Sequence, residues 1–397
     1  MLADVLQKIR SVDRLSVRGK KVFVRADFNC PVKNGEVTDD TRITGVLPTL
    51  RYVLENGGSL VIASHFGRPK QGYEEALSLA PIARRLEKLL GTPVVLAGYE
   101  LNKETVAAHY ASKSPVILLE NIRFYPEEKK GDEGFATLLA GIADVYVNDA
   151  FGVSHREDVS VFHMSRHFTE KGIGFLIHKE LDAFSKVLIS PEKPFVVIMG
   201  GSKVSDKINV LKNLMNVADS FLIGGAMSYT LMKAQGLEIG KSLFESDRID
   251  VAQDILQMAK KKKIDFLLPN DHLLVKDIDN PQDKRYSERI EEGWMGVDIG
   301  PGTLKVFREK ILSAKTVVWN GPMGVFERSD YADGTIGIAK ALKDSQAYSI
   351  VGGGDSASAV RSLRCDAFVD YISTGGGASL ALLEGNGLPG INILAEV

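Results

Sequence analysis

Residues 194–208 read PFVVIMGGSKVSDKI, an apolar run that ends in two glycines and opens into a lysine-bearing segment. Phe195 to Met199 suit a buried strand. Gly200 and Gly201 then let the backbone turn and approach a ligand closely, and Ser202 is placed to cap a following helix. Lys203 and Lys207, four apart, are expected on one face of that helix. A lysine in a first helical turn opposes the positive end of the helix dipole, so it makes most sense beside an anion, here a phosphate. The plain alternative is a strand-turn-helix joint carrying two solvated lysines. The pattern G-x-x-x-x-G-K-[ST] does not occur, so a nucleotide site must rest on a wider constellation.

The chain has 397 residues, more than one hydrophobic core usually serves, which predicts two domains. Its 44% hydrophobic and 25% charged residues are ordinary for a soluble globular protein. A formal net charge of -2 supplies no global field for nucleic acid or an anionic membrane, so anion recognition has to be local. The two cysteines, Cys30 and Cys365, lack metal-ligand spacing and fit a reducing compartment, each as a small filler rather than a nucleophile. The opening MLADVLQKIRSVDRL is amphipathic without the apolar centre of a signal peptide, and no run of about 18 apolar residues occurs anywhere. A cytoplasmic enzyme or binding protein is expected.

Working outward, the first half alternates apolar runs with longer helical patterns, as parallel strands joined by crossover helices do. Strands are predicted over 21–28, 59–63, 94–96, 115–119 and 144–147. The first, second, fourth and fifth lead into DFNCPVKNGEVTDDTRI, SHFGRP, ENIRF and NDAFGVSHRED, each carrying an arginine. Ligands of open parallel sheets bind beyond the carboxyl ends of the strands, so Arg42, Arg68, Arg123 and Arg156 can converge with Asp27, Asn29 and His65. The planar guanidinium fork suits a carboxylate or phosphate. Four unrelated surface arginines are the bland reading. Strand alternation points Asp27 and Asn29 the same way, placing them to hold a hydroxylated ligand, although Asp27 could instead pair with Arg25. A lone His65 more often serves as a hydrogen-bonded loop residue than as a base. The charged segment 127–133 is expected in solvent, and the lysine run 260–263 at a helix C-terminal end.

Ile177, Leu181, Phe184 and Leu188 have the spacing of an amphipathic helix, which Pro191 and Pro194 then stop; the domain junction is placed here. The second half repeats the alternation with glycine at its strand exits: SFLIGGAMS, DFLLPND, TVVWNGPMGVFE, YSIVGGGDS and DYISTGGGAS. Such glycines expose backbone amides at helix starts, which suggests a nucleotide cradle built from backbone. Asp355, after Gly352 to Gly354, could reach a phosphate-bound Mg²⁺ or simply cap a helix.

Taken together, ADFNCPVKNGEVTDDTRI, ASHFGRP, ENIRF, NDAFGVSHR, MGGSKVSDKI, WNGPMGVFE, VGGGDS and STGGGASL closely resemble the signatures of the phosphoglycerate kinase family, in the right order and nearly end to end. FGVSHRED and GGGDS depart from commoner forms, FGTAHRAH and a threonine in place of Ser356, while keeping Arg156 and Asp355. The resemblance implies an α/β fold of two Rossmann-like three-layer domains with parallel sheets, joined by a helix and separated by a cleft. Residues 1–175 would bind 3-phosphoglycerate, 176–190 connect, 191–380 bind nucleotide, and 381–397 return to the first domain. It implies reversible phosphoryl transfer between ATP with Mg²⁺ and 3-phosphoglycerate by a monomer. By similarity, Asp27, Asn29, Arg42, His65, Arg68, Arg123 and Arg156 would hold the phosphoglycerate. Gly201, Lys203, Lys207, Gly224, Asn320, Glu327, Gly352, Gly353, Gly354, Asp355 and Ser356 would serve the nucleotide. Asp355 would meet the metal, Glu327 the ribose, and Arg42, Lys203 and Lys207 the transfer itself. Two rivals stay open: a nicotinamide-dependent dehydrogenase, against which no G-x-G-x-x-G fingerprint follows the first strand of either half, and a non-catalytic binding protein on the same fold.

Overall fold

A computed structural model describes residues 2–70, 72–102, 104 and 114–395. The chain divides into two compact units, Met1–Asp182 together with Gly387–Val397, and Ala183–Asn386.

The first unit contains β1 (Lys21–Arg25), β2 (Val32–Lys33), β3 (Glu36–Val37), β4 (Ser59–Ala63), β5 (Val94–Leu96), β6 (Val116–Leu118), β7 (Val145–Asn148) and β8 (Lys171–Ile173). Six of these form a parallel sheet in the order β5-β6-β4-β1-β7-β8. Val22, Phe23 and Val24 of the central β1 are fully buried, as a strand covered on both faces requires. The helix Thr41–Glu55 turns Ile43, Val46, Leu47, Leu50 and Val53 inward at helical spacing and carries Arg42 in its first turn. The last residues close the unit: Gly390 N donates to Ser154 O at 3.0 Å and Asn148 Nδ2 to Gly390 O at 2.8 Å.

Three features differ from the sequence pattern. The strand expected over 21–28 ends at Arg25; Ala26 N still reaches Ala63 O at 2.9 Å, but Phe28 N donates to the Ser64 side chain at 2.8 Å, and the chain leaves the sheet. The edge strand β8 and the β2–β3 hairpin are too short to show a period. Nor is segment 127–133 uniformly solvated: Glu128 is fully buried, its carboxylate satisfied by the Ser160 N–H and hydroxyl.

The second unit contains β9 (Phe195–Met199), β10 (Ser220–Ile223), β11 (Asp265–Leu267), β12 (His272–Val275), β13 (Arg285–Ser287), β14 (Met295–Ile299), β15 (Thr316–Asn320), β16 (Tyr348–Val351) and β17 (Tyr371–Ile372). Its parallel sheet runs β11-β10-β9-β15-β16-β17, and all five residues of β9 are buried between β10 and β15. Trp319, Phe307, Ile198 and Ile338 fill the core beside it. A separate antiparallel sheet, β13-β12-β14, is not predicted; its pairing is interrupted between Leu273 and Leu274, which breaks the alternation that would reveal it.

The helix expected from Ser202 does not begin there. A 3₁₀ turn spans Ser205–Lys207 and the α-helix runs Ile208–Leu214 with Lys207 at its N-cap. Glu245 holds Ser205, accepting from its N–H at 3.0 Å and its hydroxyl at 2.6 Å, so the chain stays irregular through Lys203. Lys203 and Lys207 therefore do not share a helical face. Asp355 is likewise no cap, because Gly353 is the N-cap of the helix Gly354–Ser362.

Ile177, Leu181 and Phe184 are buried along the helix Phe175–Leu188, as their spacing predicts. Phe175 N donates to Thr49 Oγ1 at 2.8 Å and Ile177 N to Asp149 Oδ1 at 3.0 Å, fixing its start. Both cysteines are buried free thiols, and the lysine run lies where the helix Ile249–Lys261 ends.

Candidate active site

In the first unit, parallel strands bring their carboxyl ends to one edge, and the predicted side chains gather on the loops that leave it. Arg42 pairs with Asp27, and Asp27 Oδ1 also accepts from Asn29 N at 3.2 Å. Arg25, the alternative partner of Asp27, instead runs inward, donating to Ser160 Oγ at 2.7 Å and to the carbonyl of Ala26. Gly67 ties two further members together: its N–H donates to Asn29 Oδ1 and its carbonyl accepts from Arg123 Nη1, both at 2.9 Å. Asn121, which sequence reasoning passed over, pins the same loop by donating to the carbonyls of Phe66 at 2.7 Å and Leu77 at 2.9 Å. Arg68 is exposed beside it, and Arg156 is half-buried on the β7 exit.

His65 is buried between Arg25, whose Nη2 lies 3.5 Å from Nδ1, and Asp27, whose Oδ1 lies 3.8 Å from Nε2. An arginine can only donate, so Nδ1 carries the lone pair and Nε2–H faces the carboxylate. Burial pushes the imidazole down to about 3 against the opposing pull of Asp27, with Arg25, Arg123 and Arg42 adding to the fall. His65 is thus neutral at physiological pH. The Asp27 carboxyl lies below its usual range although burial works the other way, and with His65 neutral it is Arg42 and Arg25 that hold it there.

Arg123 is pushed down to about 10, first by burial and then by repulsion from Arg156 and Arg25. The Nε of Arg123 and of Arg156 are both buried and lack an acceptor among the described residues. Two guanidinium groups that repel each other and keep unsatisfied donors call for an anion.

In the second unit the glycine exits are knitted by backbone. Gly200 N donates to Asn320 O at 2.9 Å, Gly201 N to Pro322 O at 2.9 Å, Gly225 N to Met323 O at 2.8 Å and Met227 N to Gly201 O at 3.0 Å. Gly224 N closes the set on Met199 O at 2.8 Å. Gly225 has φ +63°, and a Cβ there would stand 2.5 Å from the backbone N of Gly201. Lys207 donates to Asn320 Oδ1, Asn320 Nδ2 donates to Gly352 O at 2.7 Å, and Gly321 N reaches Ser356 Oγ at 2.5 Å. Burial lowers the Lys207 ammonium, against the opposing pull of Asp355. The N-terminus of Gly354–Ser362 lies beside that of Gly376–Leu383, since a Cβ on Gly376 would come within 3.2 Å of Gly354 N. Two helix starts thereby stand side by side.

A cavity of about 200 Å³ adjoins these exits, walled by Gly225, Ala226, Tyr229, Met323 and Phe326, with Glu327 and Asp355 among its polar lining. Small and apolar walls with few polar groups suit a planar base whose sugar and phosphates extend outward. Its lining residues on β14, Gly296 and Val297, come from the antiparallel sheet the sequence pattern does not reveal. Lys203 is exposed on the turn after β9.

Two α/β units each built around a parallel sheet, one with glycine-bearing strand exits and no P-loop and the other with a cluster of arginines at its strand exits, have the make-up of a phosphotransferase of the kinase class. The family model for phosphoglycerate kinase matches residues 12–386. The chain is 49% identical to the phosphoglycerate kinase of Dictyoglomus turgidum, covering 96% of each, and 46% identical to that of Clostridium botulinum, covering 98% of each. Among solved structures it resembles the phosphoglycerate kinase of Coxiella burnetii, with a TM-score of 0.87 at 36% identity over 97% of this chain and 98% of that one. That of Pyrococcus horikoshii gives 0.80 at 30% identity over 96% and 97%. The chain belongs to the phosphoglycerate kinase family. Its reaction is the glycolytic, reversible transfer of a phosphoryl group between ATP and the carboxylate of 3-phosphoglycerate.

Proposed function

We propose that the first unit holds 3-phosphoglycerate through Asp27, Asn29, Arg42, His65, Arg68, Arg123 and Arg156. The observation that carries this is the pair of buried, acceptor-free Nε atoms on Arg123 and Arg156. Asp27 and Asn29 meet the hydroxyl, and the neutral His65 offers no competing charge.

The second unit takes the nucleotide. Its base enters the cavity beside Ala226 and Met323, Glu327 meets the ribose, and the phosphates lie along Gly201, Gly224, Gly352, Gly353, Gly354, Ser356 and the lysines Lys203 and Lys207, with Asn320 orienting the latter. Asp355 is the residue that would hold Mg²⁺. It fits the ion: it is exposed in the first turn of a helix beside the phosphate cradle, and Mg²⁺ takes one or two carboxylates, leaving its other positions to phosphate oxygens and water. Among the described residues no group of three His, Cys, Asp or Glu side chains forms a metal cage. When bound, the ion neutralises charge on the transferring phosphates.

The accepting carboxylate is already ionised near neutral pH, so no strong base is needed. What remains is in-line positioning and compensation of charge on the transferring oxygens, assigned to Arg42 and Lys203. The protein is taken to act as a cytoplasmic monomer without nucleic-acid partners. The near-neutral net charge supports the absence of nucleic-acid partners and the two free thiols a reducing compartment; among the described residues no helix is long and apolar enough to cross a membrane.

Titration calorimetry on Arg68→Ala tests the assignment, because this side chain is exposed and its loss leaves the fold intact. Affinity for 3-phosphoglycerate should fall about tenfold or more with ATP affinity unchanged. The reverse pattern would overturn it.

A further inference from the structure

Glu128 is a carboxylate that the reaction does not use, yet it is fully buried. It lies in the short helix Glu127–Lys130, just beyond the turn that carries Arg123. Its carbonyl accepts from Val159 N at 2.8 Å, Oε2 from Ser160 N at 2.9 Å, and Oε1 from the Ser160 hydroxyl at 2.5 Å. Ser160 Oγ in turn accepts from Arg25 Nε at 2.7 Å, and Arg25 Nη2 faces His65 Nδ1 at 3.5 Å. Donor directions are consistent from end to end: Arg25 gives to Ser160, and Ser160 gives to Glu128. One carboxylate therefore anchors two paths. The first runs through Ser160 back along the chain to Arg156, and the second through Arg25 to His65 and Asp27.

We propose that Glu128 is a positioning residue for phosphoglycerate, acting through Ser160 on Arg25 and on the segment that carries Arg156. The inference rests on the assignment of the arginine cluster to that substrate. Burying a carboxylate and a guanidinium usually gains no stability over apolar packing, so a stabilising role alone does not account for the arrangement. What the chain Glu128–Ser160–Arg25 does provide is a fixed direction for a guanidinium that has no freedom to turn.

The groups facing Glu128 are Arg25 from β1, Asp158 and Ser160 from the segment after β7, and Tyr146 from β7. Burial pushes its carboxyl up to about 7, against the opposing pull of Arg25 and Ser160. The carboxylate that accepts both Ser160 donors is thus the form present on the alkaline side, and it is lost by protonation on the acid side.

The test measures calorimetric affinity and KM for each substrate in Glu128→Gln, with Ser160→Ala as a second variant and Arg68→Ala as control. At about pH 8 the Glu128→Gln variant should bind 3-phosphoglycerate roughly tenfold more weakly with an unchanged KM for ATP, and the ratio to wild type should shrink at about pH 6. Ser160→Ala should move in the same direction. An effect on 3-phosphoglycerate within about twofold at both pH values, or equal rises for both substrates, would overturn the proposal. If Arg68→Ala also spares 3-phosphoglycerate, it is the site assignment that fails; if only Arg68→Ala weakens it, the role of Glu128 is what fails.

Discussion

Lys207, at the start of the helix that follows β9, donates to Asn320 at the end of β15, 113 residues further along the chain. Asn320 is fully buried and spends its own amide on Gly352, so one side chain fixes a lysine and a glycine exit together.

Asn320→Ala should therefore leave the Gly352 carbonyl without that donor and release Lys207. The expected loss is about 1–3 kcal/mol of stability, read by denaturant unfolding, with weaker nucleotide binding. Binding of 3-phosphoglycerate should be unchanged, since Asn320 and the partners it fixes, Lys207 and Gly352, all belong to the second unit. Unaltered nucleotide affinity in the folded variant would contradict the role given to this pair.

Two glycines with similar φ separate strain from collision. Gly91 has φ +68° and nothing within 4 Å of an added Cβ, whereas at Gly225, φ +63°, the Cβ would meet Gly201 backbone at 2.5 Å. Gly91→Ala should cost only the conformational term, about 1–2 kcal/mol. Gly225→Ala should cost more than that and lower nucleotide affinity too, because the β9 and β10 exits must part. Equal melting shifts would show that the backbone knit is looser than described.

The buried, neutral His65 makes stability depend on pH with a definite sign. Its native value, about 3, lies below the unfolded value of about 6.5, so between these limits the unfolded chain binds the extra proton. Stability contributed by neutral His65 is complete above that upper limit and is lost progressively as pH falls. In His65→Gln, the stability curve from pH about 6.5 downward should be shallower than wild type by the slope of one proton. Parallel curves would mean that His65 is charged in the native protein.

Much of this was legible in the residues. Five-residue buried strands such as β9 announce themselves by unbroken apolar character, and the arginines at the exits of β4, β6 and β7 stand out against it. What stayed hidden was contact order. Nothing in the spacing of Ser202 and Ser205 tells which will start the helix, because Glu245, 40 residues on from Ser205, decides it. The burial of Glu128 depends on Ser160, 32 residues away, and is invisible inside a run of charges. Arg25 does carry a signal in the sequence: a charged residue directly after the apolar Val22, Phe23 and Val24 of a central strand, where burial demands partners. The antiparallel sheet that lends Gly296 and Val297 to the cavity had no period to detect.

Lys203, exposed on the glycine turn after β9, is assigned to the transferring phosphoryl group rather than to the binding of 3-phosphoglycerate. The direct measurement is a single turnover with saturating MgATP and 3-phosphoglycerate, trapping the acyl phosphate as its hydroxamate. Wild type should yield hydroxamate, and Lys203→Ala should form it about a hundredfold or more slowly with 3-phosphoglycerate affinity intact. Formation at the wild-type rate in the variant would contradict the account.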